Sequence, residues 1–292
     1  MTLGQLRTFL AVAAAGSVRT AAERLVVTQP AVSAALASLQ REVGAALVVR
    51  EGRGLRLTAS GVAFSHYARR ALGLLEEGLA AAAGAAEPER GRVRLAAVTT
   101  AGERIVPRLL ASFRAEYPGA EVALEVGNRA HVWDLLAHHE VDLAIGGRPP
   151  GAQPFVSLAT RPNTLVVVGP ASPSGAEDLA TSTWLLREPG SGTRETAEEL
   201  LRELEVSPPV LTIGSNGAIL ESVRIGLGIT LISRDAVGPE LETGRLVEWR
   251  HTGLPLRREW HLVGRSDERL TPTAGLMLAH LVGAEDGFHL VS

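Results

Sequence analysis

The chain of 292 residues contains neither cysteine nor lysine. The first absence excludes disulfide frameworks, thiolate zinc sites, iron–sulfur clusters and a Cys nucleophile. The second excludes Schiff-base chemistry and a P-loop lysine, and makes every one of the 29 basic side chains an arginine. No apolar run approaches the roughly 20 residues a membrane-spanning helix needs, because charges bound each candidate, including the Ala-rich stretch 80–86. G-x-S-x-G, P-loop and dinucleotide fingerprints are missing too, so no motif supports an enzyme or a bound cofactor. What remains is an ordinary globular composition, long enough for about two domains. The expectation is a soluble protein of the cytoplasm, without a membrane partner.

Charge is unevenly distributed. Residues 1–90 hold ten Arg against seven acidic residues, net +3, so the whole-chain value of −3 leaves −6 for the remainder. A basic head on an acidic body points to a polyanion partner for the head alone.

The first 57 residues carry two short helical patterns, a longer one and a hairpin signal. Leu3, Leu6, Phe9, Leu10 and Ala13 share one face of a helix that Gly16-Ser17 ends. This segment loosely imitates a signal peptide, with Arg7 ahead of Thr8 to Gly16 and Ala13 and Ala15 spaced like a cleavage site. Its helical face and its continuation into a second helical pattern argue instead for a folded domain. Val18 to Leu25 forms that second pattern, Val26-Val27-Thr28 is a break of turn length, and Thr28 and Pro30 suit the cap and first turn of a third helix. Val32, Leu36, Leu39 and Val43 recur along it until Gly44. Two short helices around a three-residue turn are the helix-turn-helix signature. Two apolar runs, 47–50 and 55–57, then flank Glu51-Gly52-Arg53-Gly54 as a wing.

From Thr58 to Ala86 no strong breaker occurs, and Gly61, Ser65, Ala68, Leu72, Leu75, Leu79 and Ala82 follow heptad spacing. This predicts a helix about 43 Å long that pairs with a second copy through Ala68, Leu72, Leu75 and Leu79. Residues 87–91 break it. Beyond, strand-length runs alternate with helical patterns, which predicts parallel sheets covered by helices on both faces. Strands are expected at 165–168 and 260–263 among others, with crossing strands near Thr164 and Val263 joining two lobes around a cleft. The organisation is thus expected to be a helix-turn-helix and wing over 1–57 for DNA, a dimerising helix and hinge over 58–90, and a two-lobed α/β body over 91–292 whose cleft suits a ligand. Within the last, lobe I covers about 91–163 and 267–292 and lobe II about 164–266.

Base reading needs side chains on a helix in the major groove, with phosphate anchors beside it. Gln29 and Ser33 lie away from the apolar face of the third helix; Gln29 can read adenine in two-point fashion, and Ser33 suits a base or a phosphate. Arg53 at the wing tip can grip phosphate or enter a narrow minor groove. Arg50 can do the same or pair with a helix carboxylate. For the acidic body, three helix starts converge on the expected cleft: Thr99-Thr100, Ser191-Gly192-Thr193-Arg194, and Ser215-Asn216. Free N–H groups at such ends favour anions, so a small carboxylate, phosphate or sulfate ester is the expected ligand, with Arg194 adding charge. His138-His139-Glu140 does not make a metal site, since adjacent histidines on a helix diverge and the spacing is not H-E-x-x-H.

Residues 17–61 resemble the N-terminal domain of LysR-type transcriptional regulators. The likeness rests on Ser17 to Ala22, Thr28-Gln29-Pro30-Ala31-Val32-Ser33, Leu39, Gly44, Arg50, Gly52-Arg53-Gly54, Leu57-Thr58 and Gly61. Pro107 to Leu110, Tyr117-Pro118, Val141 to Ile145 and Gly226 to Ile229 resemble the same family's effector domain, so the likeness spans nearly the whole chain. Ala34-Ala35 and Leu47 to Arg50 depart from its usual pattern, the first lacking a polar residue and the second an aromatic.

The resemblance implies a winged helix-turn-helix, a dimerising linker helix and a two-lobed, periplasmic-binding-protein-like α/β effector domain, assembled as a dimer or tetramer. It places Thr100 at the main effector position and Asn128 at the second; Gln29, Pro30, Ser33, Arg50 and Arg53 are the candidate contacts to duplex DNA. RNA polymerase is a further candidate partner. Arg187 to Arg194 resembles the subgroup that regulates carbon fixation and cysteine or sulfur metabolism. The competing readings are a two-lobed solute-binding protein and an enzyme on the same fold.

Overall fold

The computed structural model describes residues 1–170, 178–285 and 287–291, which divide into two units. The first comprises Met1–Leu79 with His138–Glu140. Its helices α1 (Leu3–Ala15), α2 (Val18–Leu25) and α3 (Gln29–Val43) are each delimited by local chemistry. Thr2 and Gln5 form a reciprocal capping box at the start of α1, and Gly16 ends it in the left-handed conformation, φ 60°. Thr28 Oγ1 accepts from Ala31 N at the start of α3, and Gly44, φ 73°, ends it. Leu6, Phe9, Val12, Ala21, Ala22, Val32, Leu36 and Leu39 meet in one core.

The wing is the antiparallel hairpin of β1 (Val48–Glu51) and β2 (Gly54–Leu57), registered Val48 to Leu57 and Arg50 to Leu55. Helix α4 (Ala59–Gly84) follows without a break. Thr58 joins the two, donating from Oγ1 to Ala46 O at 2.6 Å and accepting from Gly61 N at 2.9 Å. A Cβ on Gly61 would lie 1.9 Å from Leu47 O, so only glycine allows α4 to rest on that carbonyl.

The heptad stripe expected on α4 does not form one exposed face. Ala68 and Leu72 are buried in the winged-helix core, whereas Leu75 and Leu79 are exposed. Tyr67, Ala71 and Leu74 are exposed as well, so the free apolar face is turned toward them. Heptad spacing marks a stripe to be covered; here the chain itself covers its first half.

In the second unit, β3 (Arg92–Val98) runs parallel between β4 (Glu121–Gly127) and β5 (Leu143–Gly146). Helices α5 (Thr99–Arg104), α6 (Val106–Glu116), α7 (Arg129–Ala137) and α11 (Pro272–Gly283) belong to this lobe. Leu95 faces one core with Phe113, Ile145 and Met277, while the adjacent Ala96 faces another with Val132 and Leu136. That alternation is what a sheet covered on both faces requires. Asp142 has a structural role: it accepts from Arg94 N at 2.7 Å and from Arg94 Nη2 at 2.8 Å, both residues being buried. His138, His139 and Glu140 lie beyond the end of α7, and His139 is left-handed at φ 59°, so they do not share a helix as the sequence suggested.

Two long antiparallel strands, β6 (Phe155–Pro170) and β11 (Leu256–Arg265), pair from Leu165–Leu256 to Phe155–Arg265. One end of the pair joins β5; β9 (Thr230–Ser233) and β10 (Leu246–Glu248) add to the other end of β6. The second lobe is completed by the parallel pair β7 (Trp184–Leu186) and β8 (Val210–Thr212), with α8 (Gly192–Glu203), α9 (Asn216–Arg224) and α10 (Arg234–Glu242). Trp184 and Leu186 face one core with Leu200; Leu185 faces the other with Ile219 and Ile232. Among the described residues no helix is long and apolar enough to cross a membrane.

Candidate functional site

On the first unit, the burial of Val32, Leu36 and Leu39 turns the opposite side of α3 to solvent. Gln29, Pro30 and Ser33 are all exposed there, together with Ala31 and Ala34. The wing presents Arg50 and Arg53, both exposed, and among the described residues the side chain of neither has an ionic or hydrogen-bonded partner. Their neighbour Arg56 is engaged by Glu51 at 2.9 Å. Gly52 turns the tip at φ 58°, a value that suits a residue without a Cβ. The unit thus offers a neutral, hydrogen-bonding helix face beside uncommitted guanidinium groups, which is what a surface for duplex DNA requires.

The second unit holds a cavity of about 970 Å³ lined from both lobes. Thr99, Thr100, Asn128, Ser191, Gly192 and Thr193 all line it. Because α5 has only six residues, Thr99 and Thr100 contribute hydroxyls rather than the field of a long helix. Arg129, Arg148, Arg187, Arg202, Arg257 and Arg258 outnumber the lining acids Glu195, Glu199 and Glu259, so the cavity has a positive excess. His261 also lines it, with Nδ1 2.8 Å from Ser157 Oγ. Burial pushes its pKa below the usual 6.5, with Arg148 adding to the effect and Glu259 opposing it.

Arg187 is the centre of the polar wall and only 7% exposed. Its Nη1 donates to Asn216 Oδ1 at 2.7 Å and its Nη2 to Thr99 Oγ1 at 3.4 Å. Asn216 Nδ2 in turn donates to Thr100 Oγ1 at 3.0 Å. The chain therefore links the lobes through a hydrogen-bonded row running Thr99, Arg187, Asn216, Thr100. Ala130 N donates across the same gap to Gly190 O at 3.2 Å, and Arg129 pairs with Glu195.

Two expected residues sit differently. Arg194 is not among the cavity-lining residues: its guanidinium turns back to Glu198 Oε1, the Arg187 carbonyl and Thr212 Oγ1, tying α8 to its own lobe. Asn216 is buried behind the wall and acts through Arg187 and Thr100. The sequence marked Arg187 and Glu188 only as the start of a segment resembling a family subgroup and gave neither a role in the site. Their signal was an adjacent Arg-Glu pair directly after an apolar strand, a common pattern without the structure.

A winged helix-turn-helix followed by a two-lobed α/β cleft defines a class: one-chain regulators that combine a DNA-binding part with a ligand-binding part. Residues 3–62 match the family description of bacterial regulatory helix-turn-helix proteins, lysR family, and residues 86–285 match the LysR substrate binding domain. The HTH-type transcriptional regulator CfxR of Cupriavidus necator is 38% identical over 293 residues, covering 97% of this chain and 91% of that protein. Among solved structures, CbnR, a LysR family transcriptional regulator, superposes with a TM-score of 0.68 at 23% identity, covering 96% of this chain and 98% of that one. The CcmR regulatory domain of Synechocystis PCC6803, solved in complex with 2-PG, gives a TM-score of 0.59 at 30% identity, covering 64% of this chain and 96% of that one. The chain belongs to the LysR family and is a LysR-type transcriptional regulator.

Proposed function

We propose that this regulator reads its operator through Gln29 and Ser33, anchors the duplex through Arg50, Arg53 and the N-terminal end of α3 at Pro30, and is controlled by a small anion held between the lobes. The observation that carries the second half is the buried Arg187, flanked by Thr99, Thr100 and Asn216 on a cavity with an excess of arginine. Asn128, Ser191, Gly192 and Thr193 complete the binding wall, and Arg194 supports it from behind. A relative in complex with 2-PG favours a phosphorylated or carboxylated metabolite, and the likeness to a RuBisCO operon transcriptional regulator of Allochromatium vinosum favours the carbon-fixation branch of the family.

An anion bound to both lobes would fix their relative angle, and only an anion with different affinity for the two angles can alter DNA binding. The protein acts in the cytoplasm as a dimer or tetramer, using the exposed Leu75 and Leu79 of α4, and meets RNA polymerase on the bound promoter. We assign it no catalytic step. Isothermal calorimetry of the full chain with 2-PG and with inorganic phosphate tests the cleft. Saturable binding of either, absent with an uncharged sugar, supports the reading; heat no greater than dilution for both anions contradicts it.

A further inference from the structure

We propose that Glu188 is a built-in anion of this cleft, occupying the Arg187 guanidinium until an incoming anion displaces it. The inference rests on reading the cleft as an anion site. Arg187 turns its Nε–Nη2 edge, the edge that grips a carboxylate or phosphate in two-point fashion, to Glu188, while Nη2 also reaches Thr99 Oγ1. Nε donates to Oε2 at 2.8 Å and Nη2 to Oε1 at 2.9 Å. With Nη1 bonded to Asn216, no two-point edge is left for a ligand.

A buried arginine without a counter-charge would be strongly destabilising, so an empty cleft needs a carboxylate of its own. Glu188 meets that need and is free to leave. Its side chain is 29% exposed against 7% for Arg187. Burial raises its pKa, but the Arg187 hydrogen bond, its own backbone N–H, the Arg187 charge and the Asn128 side chain together hold it below 4.5, so the group is a carboxylate at neutral pH.

The exchange would be felt between the lobes. Glu188 belongs to the second lobe, and the Arg187 Nη2 that it holds also donates to Thr99 Oγ1 of the first. Two residues on, Gly190, φ 85°, accepts from Ala130 N of the first lobe. Moving the Glu188 side chain therefore frees the guanidinium that makes one interlobe contact and disturbs the loop that makes another. The tethered carboxylate also competes at the high effective concentration of an intramolecular group. A monocarboxylate offers Arg187 nothing that Glu188 does not already give; a dianionic phosphate does. Glu188 thereby selects phosphorylated ligands.

Calorimetry on the full-length protein tests this with inorganic phosphate, 2-PG and acetate. The wild type is expected to bind phosphate or 2-PG and to reject acetate. Glu188→Gln is expected to bind phosphate at least tenfold tighter and to gain acetate binding, while Glu188→Asp, which keeps the charge, stays within about threefold of wild type. Unchanged or weaker phosphate binding by folded Glu188→Gln overturns the role of Glu188 but leaves the anion cleft standing. No anion binding by either protein overturns both. Should Glu188→Gln not fold, the wild type alone decides: equal affinity for acetate and phosphate overturns the inference, and rejection of acetate with retention of phosphate supports it.

Discussion

Asn216 donates its side-chain amide to Thr100 Oγ1 at 3.0 Å, tying the first turn of α9 in one lobe to α5 in the other. Both residues are buried, so the bond is shielded from solvent competition. The same two groups border the cavity wall that Arg187 dominates. Holding the lobes together and recognising a ligand are therefore tasks of one hydrogen-bonded row.

Thr100→Val keeps the shape of the side chain but leaves Asn216 Nδ2 without its acceptor. The expected cost is about 1–3 kcal/mol of unfolding free energy, together with at least a tenfold loss of 2-PG affinity. Urea denaturation and calorimetry check the two effects separately. An unchanged ligand titration would remove Thr100 from the site.

Gly61→Ala is expected to destabilise the winged-helix unit. The added methyl would lie 1.9 Å from Leu47 O, a backbone atom that cannot swing away, so α4 or the wing must shift. Overpacking of this kind costs about 1–3 kcal/mol. A melting temperature equal to that of wild type would show that the helix does not rest on that carbonyl.

Charge placed on α4 should act differently at its two halves. Leu79→Glu lies on the exposed face and is expected to weaken self-association without unfolding, read by sedimentation velocity. Leu72→Glu buries a carboxylate in the core around Phe9 and Leu36 and is expected to unfold the unit. Identical behaviour of the two variants would contradict the assignment of faces.

Gln29→Ala is expected to lower affinity for the operator by about 1–3 kcal/mol while leaving binding to random duplex nearly unchanged. Fluorescence anisotropy on the two DNAs at one salt concentration measures the difference. Equal losses on both would mean that Gln29 touches only the backbone.

The helix-turn-helix was legible because each of its boundaries has a local cause. Thr28 caps, Gly16 and Gly44 stop helices, and Val32, Leu36 and Leu39 recur at 3.6-residue spacing. Strand β6 was legible only from Leu165, yet it begins at Phe155. Pro162 and Asn163 disfavour a strand, and only the pairing of Pro162 with Glu259 across β11 reveals why one forms there. The α4 stripe was visible in its spacing, but which partner covers Ala68 and Leu72 is a tertiary fact. In the cleft, Thr99 and Thr100 were legible as hydroxyls at a strand-to-helix junction. The role of Arg187 and Glu188 was not, since the setting of Arg187 depends on Asn216, 29 residues away, and on Thr99 of the other lobe.

The measurement closest to the central claim is a titration of labelled operator DNA with the full-length protein, with and without saturating 2-PG, at fixed ionic strength. Control through the cleft requires a reproducible change in operator affinity or in the electrophoretic mobility of the complex on adding 2-PG, and no such change with random duplex. Superimposable curves and mobilities, under conditions where calorimetry has shown 2-PG to be bound, would contradict it.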